Sequence, residues 1–170
     1  MLTVVIPSFY SSKLIRDRIH EINKETPIII IDNSRDFEFK KEIEKKFSNV
    51  KIIIPNDNLG WGKAANIGIK ESKTKMVFLS QPDVKLIDNC VKKLSECIKN
   101  FEDFSILTPN DLNNDLFKNY EIYSSYNKIK SDNKFLLEEV DFVDLTWLIN
   151  KSNLTNHDLW DENIFLYFEA

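Results

Sequence analysis

The sequence predicts one α/β domain: an open, mostly parallel sheet with helices on both faces. Three observations predict it. Short apolar runs alternate with amphipathic stretches, a βαβα order that favours right-handed crossovers and a doubly wound sheet. The runs are nearly continuous in Val, Ile and Leu, as in strands buried on both faces. All three glycines, Gly60, Gly62 and Gly68, fall within nine positions. In so glycine-poor a chain, that cluster marks a tight turn or a close approach of the backbone.

The first run, Leu2 to Pro7, is β-rich and reads as a central strand. Ser8 to Ser12 form a loop, and Ser11 or Ser12 is placed to cap a helix. Leu14, Ile15, Ile19 and Ile22 recur at helical spacing. Pro27 to Ile31 is the second strand, ending in the polar turn Asp32-Asn33-Ser34. Phe39, Ile43 and Phe47 mark the next helix, and Val50 to Ile54 the third strand, broken by Pro55. Then comes the stretch from Asn58 to Val84: a glycine loop, a small-residue helix, the strand Met76 to Leu79 and the turn Gln81-Pro82-Asp83. Leu86, Ile87, Cys90, Val91, Leu94, Cys97 and Ile98 predict an amphipathic helix. Phe104 to Leu107 reads as a strand. Residues 110–134 are polar, with Tyr120, Tyr123 and Tyr126 interleaved, and read as a mobile excursion with a short strand near Glu121 to Tyr123. Val140 to Ile149 resumes sheet character, and Lys151 to His157 reads as a short connection or helix.

Composition excludes several classes. The chain has 170 residues, 42% hydrophobic and 29% charged, with net charge −4. That suits one domain with a sizeable core. No basic stripe marks a nucleic-acid partner, and no apolar run nears the ~20 residues that span a bilayer. The N-terminus lacks the charged region of a signal peptide. Cys90 and Cys97, seven apart on one predicted helix face, are too distant to bridge. They read as reduced thiols and so as a cytoplasmic setting. His20 and His157 lack partners at metal spacing. The chain stops within an apolar run, Ile164 to Phe168, where a natural domain rarely ends. The expectation is a piece of a longer polypeptide.

The chemistry-bearing residues follow from strand order. Carboxylates just past the C-terminal ends of central strands sit where open α/β sheets bind ligands. Asp32 and Asp83 are both so placed. Either could instead be a turn or cap residue. Asn58, Gly60 and Asn66 offer amides and close backbone approach at a helix start, a setting that suits an anion. Lys63 could face a diphosphate there, or solvent. A dinucleotide fingerprint is excluded, because the loop after the first strand has no glycine.

Asn58, Gly60, Ala64, Asn66 and Gly68 spell N-x-G-x-x-x-A-x-N-x-G. With the following strand and Gln81-Pro82-Asp83, the stretch resembles the family 2 nucleotide-sugar glycosyltransferases, rhamnosyltransferase-like branch. The resemblance runs from residue 2 to the end and is weakest between 105 and 140. It implies the GT-A fold of nucleotide-diphospho-sugar transferases. It implies nucleobase binding by Asp32 and donor contacts from Pro7, Asn58, Gly60, Asn66, Gln81 and Asp83. Asp83 would hold Mg²⁺ or Mn²⁺ against the donor diphosphate. Hard divalent ions take oxygen ligands, often one or two carboxylates with phosphate oxygens. Gln81 stands where the family often has Asn or Asp and cannot add a second charge.

The stretch Trp160 to Glu169 resembles the family's F-D-E-x-F-F-x-Y-F-E-D segment. It implies Glu169 as catalytic base, unless the base lies beyond residue 170, and acceptor-side roles for Asp161 and Glu162. Those two acids could equally serve a helix dipole. Trp147 and Trp160 line a sugar platform or fill the core.

The implied division is one domain over 1–170, with a nucleotide-sugar part at 1–109 and an incomplete acceptor part at 110–170. The implied activity is inverting hexosyl or deoxyhexosyl transfer from a UDP-, dTDP- or GDP-sugar to a saccharide or lipid-linked acceptor in surface polysaccharide synthesis. It is compatible with peripheral association at the inner face of a membrane. A nucleotide-sugar-binding module with little transfer is the alternative, and a nucleotidyltransferase of similar topology is disfavoured by the missing glycines after strand one. Donor contacts lie in the first half and the base in the tail, so this chain is expected to bind donor better than it transfers sugar.

Overall fold

A computed structural model describes residues 1–101, 103–110, 119–123, 129–155 and 159–165. Glu169, the run beyond Phe165, Tyr126 and His157 lie outside the described residues. The chain forms a mixed α/β fold around a mostly parallel sheet. In order come β1 (Leu2–Ser8), α1 (Ser12–Ile19), β2 (Ile28–Asp32), α2 (Phe37–Lys46), β3 (Val50–Ile53), α3 (Trp61–Glu71), β4 (Met76–Leu79) and α4 (Cys90–Cys97). There follow β5 (Ile106–Leu107), β6 (Tyr120–Glu121), β7 (Ile129–Ser131), β8 (Leu136–Glu138), β9 (Phe142–Val143), β10 (Trp147–Asn150) and a short 3₁₀ turn, Lys151–Asn153.

The main sheet has the order β3-β2-β1-β4-β10-β5. β1, β2, β3 and β4 are parallel, while β10 is antiparallel to both β4 and β5. The chain runs outward from β1 to β3, then returns to the other side of β1 as β4. That reversal opens a crevice at the C-terminal ends of β1 and β4, the topological switch point of such sheets. Pro7 helps open it. Val4 donates to Pro27 on the β2 side, so the amide missing at position 7 would face β4. Paired residues end at Val5↔Leu79, the last bond runs from Ser80 N to Val5 O at 2.9 Å, and Pro7 has no N–H to add the next.

Both faces of the sheet are covered. On one, Ile15 and Ile19 of α1, Phe39 and Ile43 of α2, and Val91 and Leu94 of α4 pack on Val4, Ile30 and Phe78. On the other, Ala64, Ala65 and Ile69 of α3 pack on Val5, Ile31 and Leu79. The small residues of α3 let it lie close: a Cβ at Gly68 would stand 2.2 Å from a Val5 methyl. Lys151 caps the far end of α3, donating to Ser72 O at 2.7 Å, and its burial pushes the ammonium pKa down. Cys90 and Cys97 are unbridged. Burial raises both thiol pKa values, which keeps them protonated and inert.

Several boundaries differ from expectation. α4 begins at Cys90, not Leu86, because Asp88 and Asn89 take left-handed φ values of 51° and 56°. That conformation cannot join a right-handed helix. The single sheet stretch expected over Val140 to Ile149 is two strands. Leu145, at φ 70°, turns the chain between them. β9 pairs with β6, while β10 enters the main sheet beside β4. Residues 129–138 form a hairpin, β7–β8, which begins in the polar stretch and runs past its end. Its turn is held by Asp132, which accepts from Lys134 N and Phe135 N at 2.7 Å each.

Candidate active site

The β1–β4 crevice is a cleft of about 390 Å³. The end of β1 contributes Pro7 and Ser8, with Phe9 just beyond. The turn after β4 contributes Gln81, Pro82 and Asp83, and the turn after β2 contributes Asn33. The loop into α3 adds Asn58, Gly60 and Trp61, and Phe165 closes the outer side. Pro7, Asn58, Gly60, Gln81 and Asp83 thus meet in one cleft, though Pro7 and Asp83 lie 76 positions apart in the chain. Asp83 and Asn58 are exposed to it, and Gln81 is half-buried.

Asn33, Ser8, Phe9 and Trp61 are cleft residues not singled out from sequence. Asn33 also builds the cleft. Its amide donates to Gly60 O at 3.1 Å and accepts from Leu59 N at 3.2 Å, tying the turn after β2 to the glycine loop. An amide in the middle of a polar turn was the available signal. Asn58 braces the same loop by accepting from Gly60 N at 3.1 Å. Gly60 itself has φ 78°, and a Cβ on it would lie 2.3 Å from the Phe165 carbonyl oxygen. Both facts require glycine here.

Asp32 sits at the same sheet edge, opposite Ser8 in register, but does not line the cleft. It is 1% exposed. Its carboxylate accepts from Ser34 N, Ser34 Oγ and Asp36 N, which orders the turn into α2. Asn66 also stands away from the cleft, 1% exposed. Its amide donates to Trp160 O at 2.8 Å and accepts from Trp160 N at 3.2 Å. Trp147 is a core residue, 5% exposed. With Trp61 and Trp160 it makes a three-ring cluster, centroids 5.3–5.5 Å apart. Asp161 closes an exposed turn onto Asn163. Glu162 accepts from Asn66 at 3.2 Å and pairs with Lys70 at 3.4 Å and Lys63 at 4.0 Å. The Asn66 hydrogen bond, then Lys70 and Lys63, hold its carboxyl below the usual carboxylate range. Lys63 therefore faces Glu162 rather than the mouth of the cleft.

The family described as "Glycosyl transferase family 2" matches residues 3–156. The chain belongs to that family. No curated protein matches the chain at a significant level. Among solved structures, TarS 1-349 of S. aureus in complex with UDP superposes with a TM-score of 0.70 at 14% identity, over 96% of this chain and 51% of that one. TarS 1-349 in complex with UDP-GlcNAc gives 0.52 at 19% identity, over 59% of this chain and 32% of that one. The mannosyltransferase PcManGT of Pyrobaculum calidifontis, in complex with GDP-Man and Mn²⁺, gives 0.67 at 11% identity, over 96% and 48%. These likenesses show the shared fold. The family 2 chain spans about half the length of these structures or less.

The family implies a divalent metal, and the cleft of this family 2 chain fits one only in part. Among the described residues no group of three His, Cys, Asp or Glu could hold an ion. Asp83 supplies one carboxylate and Gln81 a neutral amide. One carboxylate suffices where substrate phosphates complete the oxygen shell. The donor set therefore fits an ion that arrives with a diphosphate.

Proposed function

We propose that the chain binds a nucleoside-diphosphate sugar in the β1–β4 cleft and transfers the sugar, with inversion, to a hydroxyl of a saccharide or lipid-linked acceptor. The observation that carries this reading is the meeting of Asp83, Asn58, Gly60 and Pro7 at the switch point of the sheet. We assign donor binding to residues 1–109 and acceptor binding to residues 110–170. All cleft residues but Phe165 fall in the first part. UDP-, dTDP- and GDP-sugars are the candidate donors, and surface polysaccharide the proposed product. Among the described residues no helix is long and apolar enough to cross a membrane. Our reading has a lipid-linked acceptor met by peripheral association at the inner face.

In a single displacement the acceptor oxygen attacks the anomeric carbon. The bond from that carbon to the diphosphate oxygen breaks, and a base takes the hydroxyl proton. Glu169 is our proposed base. Asn58 and the glycine loop orient the donor phosphates. Asp83 would hold Mg²⁺ or Mn²⁺, which when bound neutralises charge on the diphosphate. The neutral Gln81 favours a second reading, a module that holds nucleotide sugar with little transfer.

Melting the chain with UDP, dTDP and GDP, each with and without Mn²⁺, tests the common part of both readings. One of them is expected to raise the melting temperature. Silence with all three would remove both. Release of nucleoside diphosphate from a nucleotide-sugar panel then separates transferase from binding module.

A further inference from the structure

The segment from Leu159 to Phe165 pairs with no strand among the described residues, yet it lies against α3 at three points. Asn66 meets Trp160 through both main-chain groups, donating to its carbonyl at 2.8 Å and accepting from its N–H at 3.2 Å. Glu162 reaches back to Asn66, Lys70 and Lys63. The Trp61 N–H, the first of α3, donates to Phe165 O at 3.3 Å. Gly60 leaves the room that this last contact needs. Phe165 thereby becomes a wall of the cleft.

Asn66 is a costly residue in a helix interior, and it is buried. What it offers is a donor and an acceptor on one planar group. That matches a peptide's own N–H and C=O, as a neighbouring strand would. Asp keeps the acceptor and loses the donor, and Ala loses both. The partners lie 94 positions apart, so this one amide joins the donor half of the chain to the segment that leads toward Glu169.

We propose that Asn66 is a positioning residue that acts through Trp160: it clamps residues 159–165 onto α3 and so sets the acceptor side against the donor cleft, rather than contacting the donor. Its turnover arm rests on the transferase reading; its exchange arm does not.

The test uses the 170-residue chain with Asn66→Asp, Asn66→Ala and Glu162→Gln. Amide hydrogen exchange is measured at Trp61 and Trp160. Affinity is measured by calorimetry with UDP, dTDP and GDP in Mn²⁺. Turnover is followed as nucleoside diphosphate released from UDP-glucose, UDP-N-acetylglucosamine and GDP-mannose. Asn66→Ala is expected to exchange at Trp160 and Trp61 at least tenfold faster while β1 and β4 stay protected, and Asn66→Asp, which keeps the acceptor for the Trp160 N–H, to exchange faster than the parent but less so than Asn66→Ala. Their nucleoside diphosphate Kd and donor KM should stay within threefold, and kcat should fall at least tenfold. Glu162→Gln keeps a side-chain oxygen for Asn66 and removes only the charge that pairs with Lys70 and Lys63 at an exposed position. It should speed exchange at Trp160 about two- to threefold. Three results would overturn the proposal. One is unchanged exchange at Trp160 in both Asn66 variants. Another is a tenfold loss of nucleoside diphosphate affinity with exchange unchanged, which would make Asn66 a donor ligand. The third is faster exchange with kcat unchanged. If the parent chain neither binds nucleotide nor turns over, the transferase reading fails, and exchange still decides the clamp.

Discussion

Asp83→Asn should melt at the parent temperature without ligand and lose the extra stabilisation that Mn²⁺ brings to a bound nucleoside diphosphate. Asp83 is exposed at the mouth of the cleft, so the native fold loses no buried contact when its charge is removed. The liganded state does lose something. A ligand that binds only the folded chain stabilises it by RT ln(1 + [L]/Kd), ~2.7 kcal/mol at a hundredfold excess. In a domain of this size that is a rise of roughly 5–10 °C. The nucleotide alone should retain its smaller shift, because Asn58 and the glycine loop are untouched. Differential scanning fluorimetry with and without Mn²⁺ reads both. A variant that keeps the full metal-dependent shift would take the metal away from Asp83.

Gly68→Val should destabilise the fold by about 3 kcal/mol, the upper end of overpacking costs. In melting temperature that is roughly 6–12 °C. The first added atom would stand 2.2 Å from Val5, a fully buried residue of the central strand. For α3 to rise, Ala64, Ala65 and Ile69 would have to leave the same sheet face. Relief should come from the other side of the contact. Gly68→Val combined with Val5→Ala is expected to be more stable than the sum of the two single losses, because the second change vacates the space that the first needs. Strict additivity in thermal melts would show that Gly68 is not pressed on Val5.

The parallel sheet was legible because its strands are short runs of Val, Ile and Leu separated by helical periodicity, and both signals are local. The sheet edge was legible for the same reason. Asp32, Asn58 and Asp83 each follow a strand, and parallel strands bring their C-terminal ends together. The use made of each carboxylate was not legible. Asp32 and Asp83 look alike in sequence, yet Asp32 turns inward onto Ser34 and Asp36, while Asp83 is exposed. Loop geometry decides that, not residue type. Asn66 matched a motif whose resemblance implied the donor. Its partner is Trp160, at a separation no local pattern carries. The β7–β8 hairpin was hidden because its strands are three residues each and largely exposed. The antiparallel entry of β10 turns on one left-handed residue, Leu145, at a position where a leucine gives no warning.

The most direct test of the β1–β4 cleft as a nucleoside diphosphate site is a titration of the isotopically labelled chain with UDP, dTDP and GDP in Mg²⁺, followed by amide NMR. A second, smaller hollow of about 250 Å³ lies at the opposite sheet edge, between His20, Lys24 and Phe47, and serves as an internal control. The predicted result is saturable shifts for at least one nucleotide at Ser8, Phe9, Asn33, Gly60, Trp61 and Asp83, with His20, Lys24 and Phe47 still. Saturable shifts centred on that hollow, or no shift in the cleft with any of the three, would contradict it.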